Sequence, residues 1–414
     1  MADDFLVAIY DEPLHKVGAQ LVWHDCGWSD KPDACDLLDT FFELGPSWVG
    51  IRDEIVQSVV HTACATIRYQ SSDMRLQAVT GVTTSLQARR GGVAARTLAH
   101  AVSAGAATGA TVSALGIFDQ GFYDRLGFGS LDIMRLVRFD PKDIRVDMTA
   151  RPPLRFTDKD IEDVHAARSR RRLRHGGVNF DSSNRTLADI QECTNGVGFG
   201  YRDRANGGIS HMVWFSRKDA ENGPFRIIFS IWETREQLGE LMAFLHSLAD
   251  QVHLVVMEEP PGIALQDFIQ RPLRSGSITQ KSKYETGITA MTYQQLRILD
   301  LKTAIQACSA TGEPVRFNLT LTDPIAAYLP HDAPWKGCSG NYTVTVSNVS
   351  DMSHEHTNGL PHLTADIAAF SRMWFGCRNA SALAMTANLQ APDELLDKLD
   401  KALCLPSPMF DWSF

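Results

Sequence analysis

One feature limits the possible folds of this chain more than any other: a predicted buried strand is followed by a helix that begins after a Gly-Gly pair. Leu76–Thr84 is rich in apolar and β-branched residues, as buried strands are. Gly91-Gly92 follows, and then Val93–Ala107, where apolar residues and alanines recur at helical spacing. A short apolar strand, Thr111–Ile117, comes next. Strands that alternate with helices in this way predict an α/β layer structure.

The loop between this strand and this helix has the character of an anion-binding site. A helix N-terminus presents free backbone N–H groups, and its macrodipole favours negative charge there. Gly92 allows a phosphate to approach the backbone closely, and Arg89 and Arg90 add positive charge at the rim. The loop lacks the Gly-Lys-Ser/Thr ending of a P-loop and the G-x-G-x-x-G spacing of a Rossmann fingerprint. A pyrophosphate cradle and a plain helix start with two surface arginines both remain open.

Breaks in the pattern divide the 414 residues into three predicted domains. Arg151-Pro152-Pro153 ends the first, because a Pro-Pro pair cannot continue a helix. The polar, turn-rich stretch 274–283 marks the second boundary. The predicted domains are therefore 1–150, 151–285 and 286–414, which agrees with roughly 100–200 residues per domain.

The second and third regions continue the alternation of strands and helices. The predicted elements are a helix at Asp158–Arg174, strands at Ile209–Ser216 and Phe225–Trp232, a helix at Glu236–Asp250, a strand at Val252–Met257, a helix at Leu301–Ser309, strands at Val315–Thr322 and Asn341–Ser347, and helices at Leu363–Phe370, Ser381–Leu389 and Asp393–Leu403. A basic run, Arg168–Arg174, ends the first of these helices, and we expect it to form a solvated or partner-facing surface.

Net charge and cysteine usage exclude several classes of function. The chain has 40 Lys and Arg against 49 Asp and Glu, which argues against a nucleic-acid partner because phosphate neutralisation needs clustered cations. No run of about 18 apolar residues predicts a membrane span, and the start of the chain lacks the pattern of a secretory signal. The eight cysteines form no C-x-x-C pair, so neither a zinc site nor a redox motif is predicted. We therefore expect a soluble, cytoplasmic protein with no metal and no membrane partner.

A second block, Ala114–Gly129, reads ALGIFDQGFYDRLGFG and contains Tyr123. Together with the Arg-x-x-Gly-x-Ala loop at 89–94, it resembles the GNAT superfamily of acetyl-coenzyme A-dependent N-acyltransferases. The order of the three regions is similar to the Eis (enhanced intracellular survival) family of aminoglycoside N-acetyltransferases, and Leu296–Ile305 and Ser381–Leu389 resemble that family's C-terminal domain. The resemblance implies tandem GNAT-like α/β domains, the second of them degenerate, followed by a sterol-carrier-protein-like α+β domain.

The resemblance also implies how acetyl-coenzyme A would bind. The backbone of Val82 and Thr84 would hold the pantetheine arm and the acyl carbonyl. The phosphates would be bound at the family's loop positions, which are Arg89, Arg90, Gly92 and Val93. The chain departs from the family in two places, with Val82-Thr83-Thr84 where relatives usually have Val-x-Val, and Gly91 where they often have a third arginine.

Two residues would carry the chemistry of amine acylation, which needs a base for the amine and an acid for the leaving thiolate. Tyr123 falls on the family's proposed general acid, and the alternative is an aromatic ring packed behind the loop. The α-carboxylate of Phe414 falls on the family's proposed general base, and the alternative is a frayed chain end. Relatives form hexamers, so the resemblance also implies a homo-oligomer.

Three functions remain open from the sequence. The resemblance favours acetyl transfer to primary amines of a cationic small molecule, and it implies aminoglycoside-like antibiotics as the substrate class. The second possibility is an acyltransferase for one specific amine in secondary-metabolite biosynthesis or self-resistance. The third is a non-catalytic protein that binds a lipid or coenzyme A, and the intact loop at 89–94 and Tyr123 argue against it.

Overall fold

The computed structural model of the chain describes residues 5–28, 32–119, 121–205, 207–270 and 280–414. The first four residues of the chain and residues 274–279 of the predicted linker lie outside the described residues. Residues 280–283, which complete that linker, form turns and a bend.

Ten helices and twenty strands are formed by the described residues. The helices are Glu12–Asp25 (α1), Pro32–Phe42 (α2), Val93–Ala107 (α3), Ile161–Arg170 (α4), Ser183–Gln191 (α5), Arg235–His246 (α6), Leu301–Gln306 (α7), Ile367–Trp374 (α8), Ala380–Thr386 (α9) and Asp393–Ala402 (α10). The strands are Phe5–Ile9 (β1), Ser47–Arg52 (β2), Ile55–Tyr69 (β3), Ser72–Thr84 (β4), Val112–Gly116 (β5), Gly129–Ser130 (β6), Met134–Phe139 (β7), Leu154–Phe156 (β8), Val178–Phe180 (β9), Val197–Arg202 (β10), Ile209–Arg217 (β11), Phe225–Ile231 (β12), Val255–Glu258 (β13), Gly287–Met291 (β14), Gln294–Ile298 (β15), Val315–Thr322 (β16), Gly340–Val346 (β17), Asp351–His354 (β18), His362–Asp366 (β19) and Leu389–Gln390 (β20).

The chain forms two compact units, each assembled from separate stretches of sequence. The first unit comprises residues 1–132, 175–181 and 293–414, and the second comprises 133–174 and 182–292. Helices packed against mixed sheets confirm the predicted α/β class. Residues 133–150 and 286–292 belong to the second unit because β7 and β14 pair in its sheet. We keep the division into three sequence domains as a proposal.

The larger sheet of the first unit has the strand order β1-β2-β3-β4-β5-β15-β6, and β9 pairs with the far half of β3. The long strands β3 and β4 form an antiparallel hairpin, and β4 then pairs in parallel with β5 through the crossover helix α3. The strand β15 enters between β5 and β6, although it comes much later in the chain. The sheet that packs against α3 therefore includes a strand, β15, that follows the second unit in the sequence.

The smaller sheet of the first unit has the order β18-β17-β16-β19-β20. The helices α7 to α10 come from the same C-terminal stretch, and α8 buries Phe370 and Trp374. Here two predicted helices are partly wrong. The helix expected at Ser381–Leu389 ends at Thr386, and Leu389 pairs in β20. The helix expected at Leu363–Phe370 begins only at Ile367. Residues 362–366 instead form β19, because they pair in parallel with β16 along its length.

The second unit has a single seven-stranded sheet with the order β14-β7-β13-β12-β11-β10-β8. Its one parallel pair, β12 with β13, is connected through α6. The basic run at the end of α4 is not wholly solvated, which corrects the expectation for Arg168–Arg174. Arg168 and Arg171 are buried, and Arg168 forms an ion pair with the buried carboxylate of Asp189 at 2.5 Å.

A buried ion pair holds β15 in the first unit. The guanidinium of Arg297 donates to a carboxylate oxygen of Asp323 and to the backbone carbonyl of Leu126, and the side chains of Arg297 and Asp323 have no solvent exposure. Asp323 also accepts hydrogen bonds from the backbone N–H groups of Ile325 and Cys338. A pair this deeply buried is sensitive to the loss of either partner, because the remaining charge has no water to solvate it.

Replacing Arg297 by Met should therefore destabilise the first unit. Breaking a buried pair costs about 3–5 kcal/mol, which corresponds to a fall of roughly 6–20 °C in the midpoint of thermal unfolding for a unit of this size. The double variant Arg297→Met/Asp323→Leu should recover part of the loss, because no charge is then left buried. Lys398→Met, which removes the exposed pair with Glu394, is the control and should leave the midpoint unchanged. Calorimetric scans of the four proteins check this, and an Arg297→Met midpoint equal to that of wild type would contradict it.

Candidate active site

The parallel contact between β4 and β5 ends before β4 does. The two strands pair only from Leu76 with Val112 to Val79 with Leu115, whereas β4 continues alongside β3 as far as Thr84. A bulge at Thr80 separates the two parts of β4, because His61 pairs with Gly81 while Thr62 pairs with Val79. In the described part of the sheet, the second half of β4 has a strand on one side only. On its other side no described strand pairs with Val82 and Thr84, and the Thr84 carbonyl accepts a hydrogen bond from the Cys26 thiol at 3.7 Å.

The helix α3 begins with its N-terminal N–H groups uncapped. Gly92 occupies the N-cap position with φ 73° and no side chain caps the helix, and no acidic residue lies in the first turn. A Cβ atom added at Gly92 would have nothing within 4 Å, so the space in front of the helix is open. The helix dipole and the free N–H groups therefore favour an anion at this position.

The two arginines before the helix lie at the edge of this space. Arg89 and Arg90 are exposed, and Arg90 adopts φ 64°, a left-handed conformation that is uncommon for residues with a side chain. Val93 is buried and anchors the first turn of the helix in the core. The structure thus brings together the four residues predicted to contact phosphate, with the charged pair outside and the glycine at the opening.

The second unit offers an internal comparison for this helix start. Its crossover helix α6 begins with a capping box, in which the Thr234 hydroxyl accepts from the Gln237 N–H and the Gln237 side chain accepts from the Thr234 N–H. The N–H groups that would hold an anion are already satisfied by the chain itself. The start of α6 therefore differs from that of α3, because its N–H groups are not open to an anion.

Tyr123 lies in a short 3-10 helix, Tyr123–Leu126, that follows β5. The side chain is buried, and its ring packs edge-on against Phe122 at a centroid distance of 5.0 Å. Burial raises the pKa of Tyr123 to about 12, and the charges of Tyr293 and Asp119 act in the same direction. The phenol is therefore protonated at any ordinary pH.

Side chains of β15 hold the loop that carries Tyr123. Gln295 donates from Nε2 to a carboxylate oxygen of Asp124 at 2.6 Å and to the Ser130 hydroxyl at 3.1 Å. Arg297, two residues further along the same strand face, donates to the carbonyl of Leu126. The position of the loop is therefore set by β15, a strand that comes much later in the sequence.

The C-terminal residues are packed rather than frayed. Asp411 accepts a hydrogen bond from the Val178 N–H at 3.1 Å, and Trp412 is buried against the ring of Phe180. Phe414 contacts the same Phe180 ring edge-on at 5.4 Å and stacks on Phe410 at 5.5 Å. These contacts hold Phe414 against the sheet of the first unit.

The backbone oxygen of Phe414 reaches the end of β5 at Gly116. A Cβ atom built on Gly116 would lie 2.6 Å from that oxygen and 3.1 Å from both the Cε1 and the hydroxyl oxygen of Tyr293. The sequence indicates no role for Tyr293, because it precedes a short strand and belongs to no motif. Its position becomes evident only when β15 is placed beside β5. Phe414, Tyr293 and Tyr123 thus lie around one end of β5.

An aromatic cluster packs beside Gly81, directly after the bulge in β4. Trp23 and Phe42 contact the ring of His61 at centroid distances of 5.3 and 4.3 Å, and a Cβ on Gly81 would touch Trp23 at 2.9 Å. His61 is hydrogen-bonded to the Ser47 hydroxyl at 2.7 Å, and burial lowers the pKa of His61 to about 3. The Trp23 and His61 side chains are buried and that of Phe42 is partly buried, so the cluster forms a neutral, π-rich wall beside the open half of β4.

Neither a metal cluster nor a membrane span is found in the described ranges. No group of three or more His, Cys, Asp or Glu side chains there could hold a metal ion. Within those same ranges, no helix is both long enough and apolar enough to cross a bilayer. None of the eight cysteines, all of which lie in the described ranges, forms a disulfide bond there.

Two family matches cover the ends of the first unit. Residues 24–131 match the acetyltransferase (GNAT) domain, and residues 301–411 match the sterol carrier protein domain. The first match contains the β4–α3 junction and Tyr123. Neither match includes Tyr293 or Phe414. No curated protein matches the sequence.

Solved structures share the fold over nearly the whole chain. A probable N-acyltransferase from Enterococcus faecalis V583, described as a conserved protein of unknown function, has a TM-score of 0.81 at 17% identity, with 99% of each chain covered. A GCN5-related N-acetyltransferase from Anabaena variabilis has a TM-score of 0.77 at 15% identity, covering 99% of this chain and 100% of that one. Eis1 from Mycobacterium abscessus has a TM-score of 0.73 at 16% identity, with the same coverage. These matches confirm the predicted fold and the predicted resemblance, while the roles of individual residues stay predictions.

Crowding at Gly116 should displace the end of the chain. In Gly116→Ala the new Cβ would lie 2.6 Å from the Phe414 backbone oxygen, closer than such contacts allow. Overpacking of this kind costs about 1–3 kcal/mol, so carboxypeptidase should release Phe414 roughly five- to hundredfold faster than from wild type. Gly287→Ala is the matched control, since a Cβ there meets no atom within 4 Å. Equal release rates from Gly116→Ala and wild type would show that the oxygen does not lie against Gly116.

Proposed function

We propose that this chain, which carries a GNAT acetyltransferase domain and a sterol carrier protein domain, acetylates primary amines of a cationic small molecule. It is an enzyme of the GNAT N-acetyltransferase family, a family that typically uses acetyl-coenzyme A. The observation that carries the proposal is the uncapped start of α3 beside the open half of β4. An anion cradle next to an unpaired strand edge suits a donor with a pyrophosphate and an amide-bearing arm.

In this proposal the backbone of Val82 and Thr84 holds the pantetheine arm, as a strand holds an extended partner. The N–H groups of Gly92 and Val93 face the pyrophosphate, and Arg89 and Arg90 neutralise its charge from the rim. The fit is supported by the open space at Gly92, which a Cβ would begin to fill, and by the absence of a capping side chain among the described residues.

The acceptor amine would enter beside the bulge in β4. The rings of Trp23, Phe42 and His61 lie there, and aromatic faces attract cations. Burial keeps His61 neutral, so it adds no repulsion to a polycationic acceptor. These features support a cationic amine, and aminoglycoside-like antibiotics are the class that we propose. A role in antibiotic resistance and assembly into a hexamer remain predictions from the resemblance.

Transfer of the acetyl group needs a base for the amine nitrogen and a donor for the leaving sulfur. We assign the base to the α-carboxylate of Phe414, which the contacts with Phe180 and Phe410 hold in place. We assign the donor to Tyr123. Because its pKa is raised to about 12, the phenol keeps its proton up to strongly alkaline pH, and its titration should produce no alkaline limb near neutrality. A thiol of the cysteine type has a pKa near 8.5, well below that of Tyr123, so proton transfer from Tyr123 to the thiolate is unfavourable by itself. The phenolate left after donation must therefore regain a proton rapidly.

Thiol release from acetyl-coenzyme A tests the proposed reaction. The protein is incubated with acetyl-coenzyme A and a panel of aminoglycosides and linear polyamines, and free thiol and acetylated products are measured. We expect thiol release with several polycationic amines, and a fall of about a hundredfold or more in kcat for Tyr123→Phe. Acetylation of one amine at one position only would favour the biosynthetic alternative. No thiol from any amine, although coenzyme A raises the unfolding temperature, would refute the acceptor class.

The length of the C-terminus tests the base. Deleting Phe414, or adding one alanine after it, moves the carboxylate away from Gly116 without touching the donor site. We expect both variants to lose about a hundredfold or more in kcat, the usual contribution of a general base. Coenzyme A should still stabilise both variants against heat, which serves as the control for folding. Wild-type turnover in both would eliminate the terminal carboxylate as the base.

A further inference from the structure

We propose that the hydroxyl group of Tyr293 links the carboxylate of Phe414 to Tyr123 and carries the proton that restores the Tyr123 phenol after each transfer. The inference rests on the proposed function and adds a catalytic group to it. Tyr293 lies in the stretch between the two matched domains, so the assignment comes from its place in the first unit alone.

The proximity of Tyr293 to Phe414 follows from the geometry at Gly116. The hydroxyl oxygen of Tyr293 and the backbone oxygen of Phe414 lie 3.1 and 2.6 Å from the same point, the Cβ position of Gly116. The two oxygens are therefore no more than about 5.7 Å apart, the sum of those distances. A phenol donates a hydrogen bond and a carboxylate only accepts, so the pair is complementary. The missing side chain at Gly116 leaves room for the two groups to approach each other.

The strand β15 directs the same residue toward Tyr123. Side chains two residues apart lie on one face of a strand, and Gln295 and Arg297 both contact the loop that carries Tyr123. Tyr293 precedes Gln295 by two residues, and its carbonyl accepts from the Ile117 N–H at 2.6 Å, which extends the pairing with β5. The electrostatic influence of Tyr293 on the pKa of Tyr123 agrees with this placement.

Solvent access explains why a link is needed. Tyr123 is 5% exposed, whereas Tyr293 is 40% exposed. A phenolate formed at Tyr123 has little direct contact with water. It must nevertheless regain its proton before the next turnover, because only the protonated phenol can donate to the sulfur. In the proposed relay, the more exposed hydroxyl of Tyr293 connects this buried group to the carboxylate that collects the proton from the amine.

The proton balance closes over one reaction. The C–N bond forms and the C–S bond breaks; an ammonium substrate gives one proton to solvent as it becomes nucleophilic. Its second proton passes from nitrogen to the Phe414 carboxylate as the amide forms, while the thiolate takes the Tyr123 proton. Tyr293 then donates its own proton to the Tyr123 phenolate and receives one from the Phe414 carboxylic acid. All three groups return to their starting states.

The variant Tyr293→Phe, which keeps the ring and removes the hydroxyl, tests this relay. We expect kcat to fall about ten- to hundredfold with the KM for acetyl-coenzyme A unchanged, and imidazole in the buffer to restore part of the rate as a diffusible proton carrier. Tyr284→Phe is the matched control, because Tyr284 packs against Lys283 and His253 in the second unit. Its kinetics should equal those of wild type.

A readout that needs no turnover accompanies the kinetics. Carbon-13 NMR of protein labelled at the phenylalanine carboxyl carbon follows the titration of the Phe414 terminus. Loss of a hydrogen bond to the carboxylate should raise its pKa by about 0.5–1 in Tyr293→Phe, because that bond favours the charged form.

The outcomes separate the two proposals. Unchanged kcat, or a lower kcat with neither imidazole rescue nor a change in the carboxyl pKa, would overturn the relay. If the wild type acetylates no amine, the proposed function is refuted, whatever the result for Tyr293. The NMR titration then still decides whether Tyr293 binds the Phe414 carboxylate: a raised pKa in the variant supports that contact, and an unchanged pKa overturns it.

Discussion

The buried pair of Arg297 and Asp323 is the interaction on which the candidate active site depends. Arg297 lies on β15 and binds both the Asp323 carboxylate and the carbonyl of Leu126, at the end of the turn that carries Tyr123. One guanidinium therefore connects the C-terminal sheet, the N-terminal sheet and the loop that carries Tyr123. Its donors are arranged in a rigid fork, which lets a single side chain satisfy acceptors in two directions. The candidate site is built from sequence-distant parts because this pair makes them one unit.

The two crossover helices, α3 and α6, differ in how their N-terminal N–H groups are satisfied. Both α3 and α6 follow a strand and lead to a parallel neighbour, so both direct an N-terminus at a similar place in their own sheet. Gly92 leaves the N–H groups of α3 unsatisfied, whereas Thr234 and Gln237 satisfy those of α6. A glycine at the N-cap in place of a capping side chain costs only about a few tenths of a kcal/mol of helix stability. The omission at Gly92 is consistent with a ligand that supplies the missing acceptors.

Local signals predicted the parts of the fold that local physics decides. The helix Val93–Ala107 was predicted with its observed bounds, because a glycine starts it and alanines with regular apolar positions sustain it. Tyr123 was found from a contiguous block of sequence. The helix expected at Leu363–Phe370 was wrong at its start, because a short apolar run fits a strand equally well and pairing with β16 decides it. The sequence predicts a solvated or partner-facing position for Arg168, but a carboxylate 21 residues away, Asp189, permits its burial. Tyr293 could not be found at all, since its position depends on where β15 pairs.

The late entry of β15 into its sheet has a consequence for how the chain folds during synthesis. The strand β5 is complete at Gly116, but its outer partner begins at Gln294. At about 5–20 residues per second, a ribosome takes roughly 10–35 s to make the intervening stretch. Throughout that interval the nascent N-terminal sheet lacks the strand that finally covers β5, and an unpaired edge is a template for wrong pairing. The first unit cannot complete its sheet until the second unit has been synthesised. The order of synthesis therefore limits the yield of correctly folded protein.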